Sequence, residues 1–363
     1  MVVWIAALSG GIDIGGDYGA RAWHAHEMLF GFASAIVSGF LLTAVPNWTG
    51  RLPVSGPPLM LLFALWCAGR VALLMPGVFG LLPSVLLEAA FLPVMVAVCL
   101  REIVAGRKWA DLKIIGGLAA LALANACFHY ETLALGGPDH SERLALAALT
   151  MMIVVVGGRM LPSFTRNWLN KAGKTRLPIA YNRFDLATIV VTIPAFAVWV
   201  LVPEGWAAAA CAALAAVLNA VRLWRWRGWT TTGEPLVLVL HLAYALVPAG
   251  LAAIAASALE FLDRTAATHV LTVGTVAAMM LAVMTRATRG HTGRALTASA
   301  MTCLCYAAIF LCALVRPLAI FLPEHVTAVY AAAAALWIGA FALYLAEYGP
   351  MLVARRKPSA RTA

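Results

Sequence analysis

Eleven times along 363 residues the sequence runs for roughly twenty mainly apolar residues before charges interrupt it. At 1.5 Å per residue, a helix of that length crosses the hydrocarbon core of a bilayer. The runs cover residues 23–45, 57–75, 78–100, 113–130, 143–162, 184–202, 205–224, 235–256, 268–286, 295–315 and 326–348. In lipid every backbone N–H and C=O must be paired within the span, so each run is predicted to be an α-helix. A membrane β-barrel would alternate polar and apolar residues instead. Composition agrees, with 63% hydrophobic residues, 12% charged residues and a mean hydropathy of +0.88. So few charges cannot coat a soluble globule, and so apolar a chain is not disordered. The predicted fold class is all-α: a polytopic membrane helix bundle forming one transmembrane domain over residues 1–363.

Ahead of these runs, Met1 to Gly10 reads as the outer end of a truncated first helix, which predicts twelve spans in the full protein. No basic stretch precedes it, as a signal peptide would require. With that stub counted as helix 1, basic residues cluster after even-numbered helices. Arg51, Arg101, Lys108, Arg166, Arg222, Arg286 and Arg355 mark the successive clusters, which hold 20 of the 26 basic residues. The opposite loops carry Asp13, Asp17, Glu131, Asp139, Glu204, Glu260, Asp263 and Glu324. The positive-inside rule then makes the clustered side and the C-terminus cytoplasmic.

The net charge of +10 does not indicate nucleic-acid binding, because its sources are scattered between apolar runs. The lipid bilayer is the partner that this pattern predicts. Seven cysteines lie mostly within the runs, where they read as small apolar side chains. No Cys-x-x-Cys-His occurs, so any haem is non-covalent, b-type. The absence of a Walker loop argues against an ATP-driven pump, and the absence of His-Glu-x-x-His or Gly-x-Ser-x-Gly against those hydrolase classes.

An internal register points to repetition. Thr49, Thr165 and Thr292 follow similar helix endings, and 23 residues before them stand His26, Glu142 and His269. Successive copies are 116 and 127 residues apart, or four helices. This predicts a pseudo-threefold 4+4+4 arrangement, with repeats at about 1–110, 111–230 and 231–363.

Ionisable groups inside spans are costly and tend to face an interior site. Neutral imidazole is also a common metal ligand. His24, His26, His129 and His269 fall at outer helix ends, and His241 lies within helix 9, so these five are the candidate haem or copper ligands. His26 and His269 share the repeat register, which predicts a bis-imidazole haem between helices 2 and 10. His24 is turned about 200° from His26 and would face a second site with His129. Glu27, three residues on, would orient His24. Arg70 and Glu88 form either an ion pair inside the bundle or, for Arg70, a haem-propionate contact. Arg159 is a further propionate candidate or a snorkelling residue. Trp224 to Trp229 reads as an interfacial anchor without chemistry.

Motifs across nearly the whole chain resemble the NnrS family. They are Trp23-His24-Ala25-His26-Glu27-Met28; Gly39 through Val45-Pro46-Asn47-Trp48-Thr49-Gly50 to Arg51; Gly157-Gly158-Arg159-Met160-Leu161-Pro162; and Thr165-Arg166-Asn167. His269-Val270-Leu271-Thr272-Val273-Gly274, Met284-Thr285-Arg286 and Gly290-His291-Thr292-Gly293-Arg294 complete the set. Asn47, Arg51, Asn167, Arg286, His291 and Arg294 are its residues at the cytoplasmic side. The resemblance implies a bacterial inner-membrane protein with haem and copper, linked to nitric oxide and denitrification. The short first helix departs from the family pattern. Three groups of four helices also resemble the catalytic subunit of haem–copper oxidases and nitric oxide reductases. Those enzymes draw metal ligands from helices 6 and 7, whereas here neither span holds a histidine, so a copied binuclear centre is not expected.

The resulting expectation is a membrane haem and copper protein that binds or turns over nitric oxide, in nitrosative-stress defence. An electron donor, which the sequence does not identify, is required if nitric oxide is consumed. The alternatives are a transporter of a metal or small metal complex, and a haem-based nitric oxide sensor.

Overall fold

The computed structural model describes residues 1–355. Arg356, Lys357 and Arg361, which add to the basic C-terminal end, lie outside the described residues. Among the described residues the chain is helical and has no strand.

Among the described residues, a short α1 (Val2–Leu8) precedes eleven helices long and apolar enough to cross a membrane. They are α2 (Ala20–Thr49), α3 (Pro57–Leu74), α4 (Leu81–Ala105), α5 (Trp109–Ala134), α6 (His140–Lys171) and α7 (Arg183–Leu201). The rest are α8 (Trp206–Arg225), α9 (Pro235–Ala258), α10 (Arg264–His291), α11 (Ala300–Ile320) and α12 (Pro323–Val353). The chain is thus built as a multi-pass membrane protein, with every predicted span present. Several helices outrun their apolar stretches. The largest excess is in α6, which continues to Lys171 rather than ending near 162. Pro162 lies inside it and does not stop it.

Local chemistry sets the boundaries. Pro57 starts α3 behind Gly56, whose φ of 64° suits glycine. Asn182 and Asp185 make a reciprocal capping box at the start of α7. Asp263 caps α10 and Ser299 caps α11. Gly50, at φ 72°, ends α2. In α4 the α-helix is interrupted at Ala90, where Pro93 cannot donate the hydrogen bond that Ala89 would accept.

Two helices change their winding partway. Residues Glu27–Phe32 of α2 and Val270–Ala277 of α10 are π-helical. Each segment begins one residue after a histidine, His26 or His269.

The chain packs as two compact units, Met1–Met152 and Ile153–Ala363. In the first, Gly69 of α3 lies so close to α4 that an added Cβ would sit 3.0 Å from the Glu88 Cα. In the second, α8 presents a buried stripe of Ala208, Ala212, Ala215, Asn219 and Arg222 at helical spacing. Small residues there let helices approach closely.

Candidate metal centre

The first unit buries a polar cluster around Glu88 on α4, just before the break at Ala90. Its Oε2 lies 3.1 Å from His26 Nε2 and 2.8 Å from His129 Nε2. Asn125 Nδ2 donates to the same oxygen at 2.9 Å, and its Oδ1 lies 3.0 Å from His26 Nε2. Asn125 and His129 are four residues apart on α5, so they share one helix face. Arg70 on α3 pairs with the other oxygen, Oε1, and also donates from Nη1 to Glu27 at 2.8 Å. Arg70 thus makes an ion pair inside the bundle with Glu88, with Glu27 as a second partner.

Burial is nearly complete: His26 is 0% exposed, Glu88 1%, Asn125 1% and His129 3%. Aromatic rings close the cluster. His26 packs on Phe30 at 5.2 Å and on Phe128 at 5.6 Å, centroid to centroid. Its ring centre is 4.8 Å from that of His129.

Two carboxylates, Glu27 and Glu88, face one guanidinium. One negative charge is left over at low dielectric, where an uncompensated ion is costly. An imidazolium or a metal ion can compensate it. The spacing admits a metal ion, because one ligand atom from each of His26, Glu88 and His129 lies within 4.8 Å of the others. These three side chains could hold a metal ion. The outer nitrogen of His129 also has a partner of the kind that orients a ligating histidine. Tyr18 Oη is 3.0 Å from His129 Nδ1. His26 Nδ1 is buried without a hydrogen bond, and the nearest acid is Glu27 Oε1 at 3.5 Å. Tyr18 comes from the glycine-rich loop between α1 and α2, and burial pushes its phenol well above the usual range.

The sequence paired His129 with His24, whereas the structure brings it to His26. The face of α2 that meets α5 is the one bearing His26, and residues two apart point in opposed directions. His24 stacks instead on Trp4, at 4.4 Å. Glu27 meets Arg70 at 2.8 Å and His26 at 3.5 Å. The signal for Asn125 was its spacing from His129. Nothing local to Tyr18 betrays its role, because a loop brings it in.

The other candidates stand in different surroundings. In the second unit, His269 Nδ1 lies 2.7 Å from its own helix carbonyl at Thr265. His241 Nε2 meets Thr165 Oγ1 at 2.7 Å, tying α9 to α6. Arg159 is exposed on α6. At the basic helix ends, Arg51 reaches Glu102 at 2.5 Å and Asn47 donates to the Thr43 carbonyl. Arg286 lies over the Phe164 ring at 4.1 Å, and Arg294 is 3.5 Å from the Thr292 carbonyl. Asn167 and His291 are exposed. Trp226 departs from the expected interfacial anchor: it is buried, 4.6 Å from Tyr244, while Trp224 and Trp229 are exposed.

Neither the curated proteins nor the solved structures yielded a match to this sequence. A family model described as NnrS protein matches residues 1–356, essentially the full length. Eleven apolar helices, the histidine-bearing motif of α2 and that end-to-end match agree, and the chain belongs to the NnrS family.

Proposed function

We propose that the chain is a bacterial inner-membrane haem and copper protein that binds or turns over nitric oxide. The observation that carries the reading is the convergence of His26, His129 and Glu88 in a buried cluster. Two imidazoles and one carboxylate suit a first-row transition ion, and copper stands high in affinity for such donors. His26, His129 and Glu88 would hold the ion, and Tyr18, 3.0 Å from His129 Nδ1, would orient that imidazole. Copper at this site supplies one-electron redox chemistry. Arg70 and Asn125 hold Glu88, and Phe30 and Phe128 keep water from the ligands.

A porphyrin does not fit the same place, because Phe30, Phe128 and Tyr18 pack directly on the two imidazoles. The haem is therefore assigned to the more accessible histidines, His24 or His269, and His26 to copper. Nitric oxide is small and apolar, so the bilayer itself supplies its route to the protein.

The test is metal analysis with absorption spectra of the detergent-purified protein, before and after nitric oxide. His129→Ala is expected to lose copper at least tenfold in affinity while keeping its Soret band. His24→Ala or His269→Ala should lose the band and keep copper. Gas consumption at an electrode then separates an enzyme from a sensor. Copper retained in a folded His26→Ala/His129→Ala variant would overturn the site. A colourless, metal-free wild type would overturn the function and return the transporter reading.

A further inference from the structure

The second unit carries the opposite charge imbalance, at the basic end of α7 and α8. Arg222 on α8 is 0% exposed, and its Nε donates to Asp185 Oδ1 at 2.9 Å. Its Nη1 donates to the Val154 carbonyl at 2.8 Å, and its Nη2, lying over Gly158, has no partner. The second oxygen of Asp185 is committed as well, because it accepts the Asn182 N–H at 3.0 Å in the capping box. Arg225, one turn beyond Arg222, is therefore left 4.0 Å from Asp185, and its buried Nη2 makes no hydrogen bond. Two guanidiniums face one carboxylate, and only Arg222 hydrogen-bonds to it.

Arg227 adds a second, independent sign. Its backbone is left-handed, with φ 57°, a conformation that favours glycine. Its Nε is also buried without a partner. An arginine kept at a strained position with an unpaired donor points to a ligand for that side chain. The loop before α7 draws Arg166 to the same corner. Arg166 Nη2 donates to the Pro178 carbonyl at 3.2 Å, while the next residue, Ile179, donates its N–H to the Arg225 carbonyl at 3.3 Å.

Depth narrows the ligand. Trp224 at the end of α8 and Trp229 in the 3-10 turn after it are 69% and 47% exposed, with ring centroids 4.3 Å apart. Exposed tryptophans at a helix end mark the headgroup layer. Guanidinium forks match phosphate oxygens in pairs, and basic pockets between membrane helices take lipid headgroups.

We propose that Arg225 and Arg227, backed by Arg222 and Arg166, bind a phosphate oxyanion at the headgroup level, supplied by an anionic phospholipid. The site is independent of the metal centre. It is tested on the full chain in a neutral detergent, by thermal unfolding with dihexanoyl phosphatidylglycerol or with inorganic phosphate. Chloride at matched ionic strength is the control. Phosphatidylglycerol is expected to raise the midpoint of the wild type, with about tenfold weaker apparent binding in Arg225→Gln/Arg227→Gln. Arg101→Gln, which changes an exposed arginine beside Glu102, should respond as the wild type does. An equal response to inorganic phosphate supports the oxyanion site with a soluble source. No response to either ligand, or one that Arg225→Gln/Arg227→Gln retains, would overturn the proposal.

Discussion

Tyr18 shows how much one side chain from a loop adds to a helix-built centre. Its hydroxyl is the hydrogen-bond partner of His129 Nδ1, and it is 2% exposed. Burial raises its pKa, so the native protein holds the phenolic proton where an unfolded chain releases it near pH 10. The stability from this group is complete below about pH 10 and falls as pH rises further, by about 1.4 kcal/mol per unit. Tyr18→Phe should remove that share of alkaline sensitivity, giving a flatter midpoint-against-pH curve between about pH 9 and about pH 11. A variant curve as steep as the wild type would show that Tyr18 titrates freely. At this scale the sequence was partly legible. His26, His129, Arg70 and Glu88 stand out as polar groups in apolar runs. Asn125 and Tyr18 do not, because an amide and a phenol are unremarkable in a helix and a loop until a partner is seen.

The elements place these residues by their winding. In α2 the π-helical segment Glu27–Phe32 lies between His26 and the rest of the span, and α10 repeats the arrangement after His269. Such segments carry one extra residue per turn and are frequent at functional sites. Gly31, within the first, is where an added Cβ would meet Arg70 Nη1 at 2.5 Å and Glu27 Oε2 at 2.8 Å. Deleting Leu29 should restore ordinary winding, and since about five α-helical residues turn the chain as far as six π-helical ones, His26 should stay in the cluster. The expected result is copper retained with membrane insertion unchanged, read by metal analysis of the purified variant. Copper loss in a folded deletion would show that the wide turn itself aims His26. Apolar spacing cannot reveal this feature, since 3.6-residue and wider windings both serve a run that is apolar all round. In the repeat register only His26 and His269 stand beside π-helix, and Glu142 lies in continuous α-helix.

For the whole molecule, the alternation of basic and acidic ends predicts one orientation. A fluorescent protein fused after residue 363 should fold and glow in the cytoplasm, and an alkaline phosphatase fused there should be inactive. An active phosphatase would invert the topology and place the basic corner of α7 and α8 on the outer side.

The eleven spans were readable along the chain because lipid imposes a local requirement: about twenty apolar residues, with the backbone satisfied inside each one. Helix number, class and the titratable residues worth watching all follow from that one-dimensional constraint. Partnership does not. His129 meets His26 and not His24, and Asp185 serves Arg222 and leaves Arg225 short, because helix rotation and close approach at glycines set those distances. Contacts between residues 37 to 111 positions apart come from packing. So does the charge left over in each cluster, and with it the kind of ion each one suits.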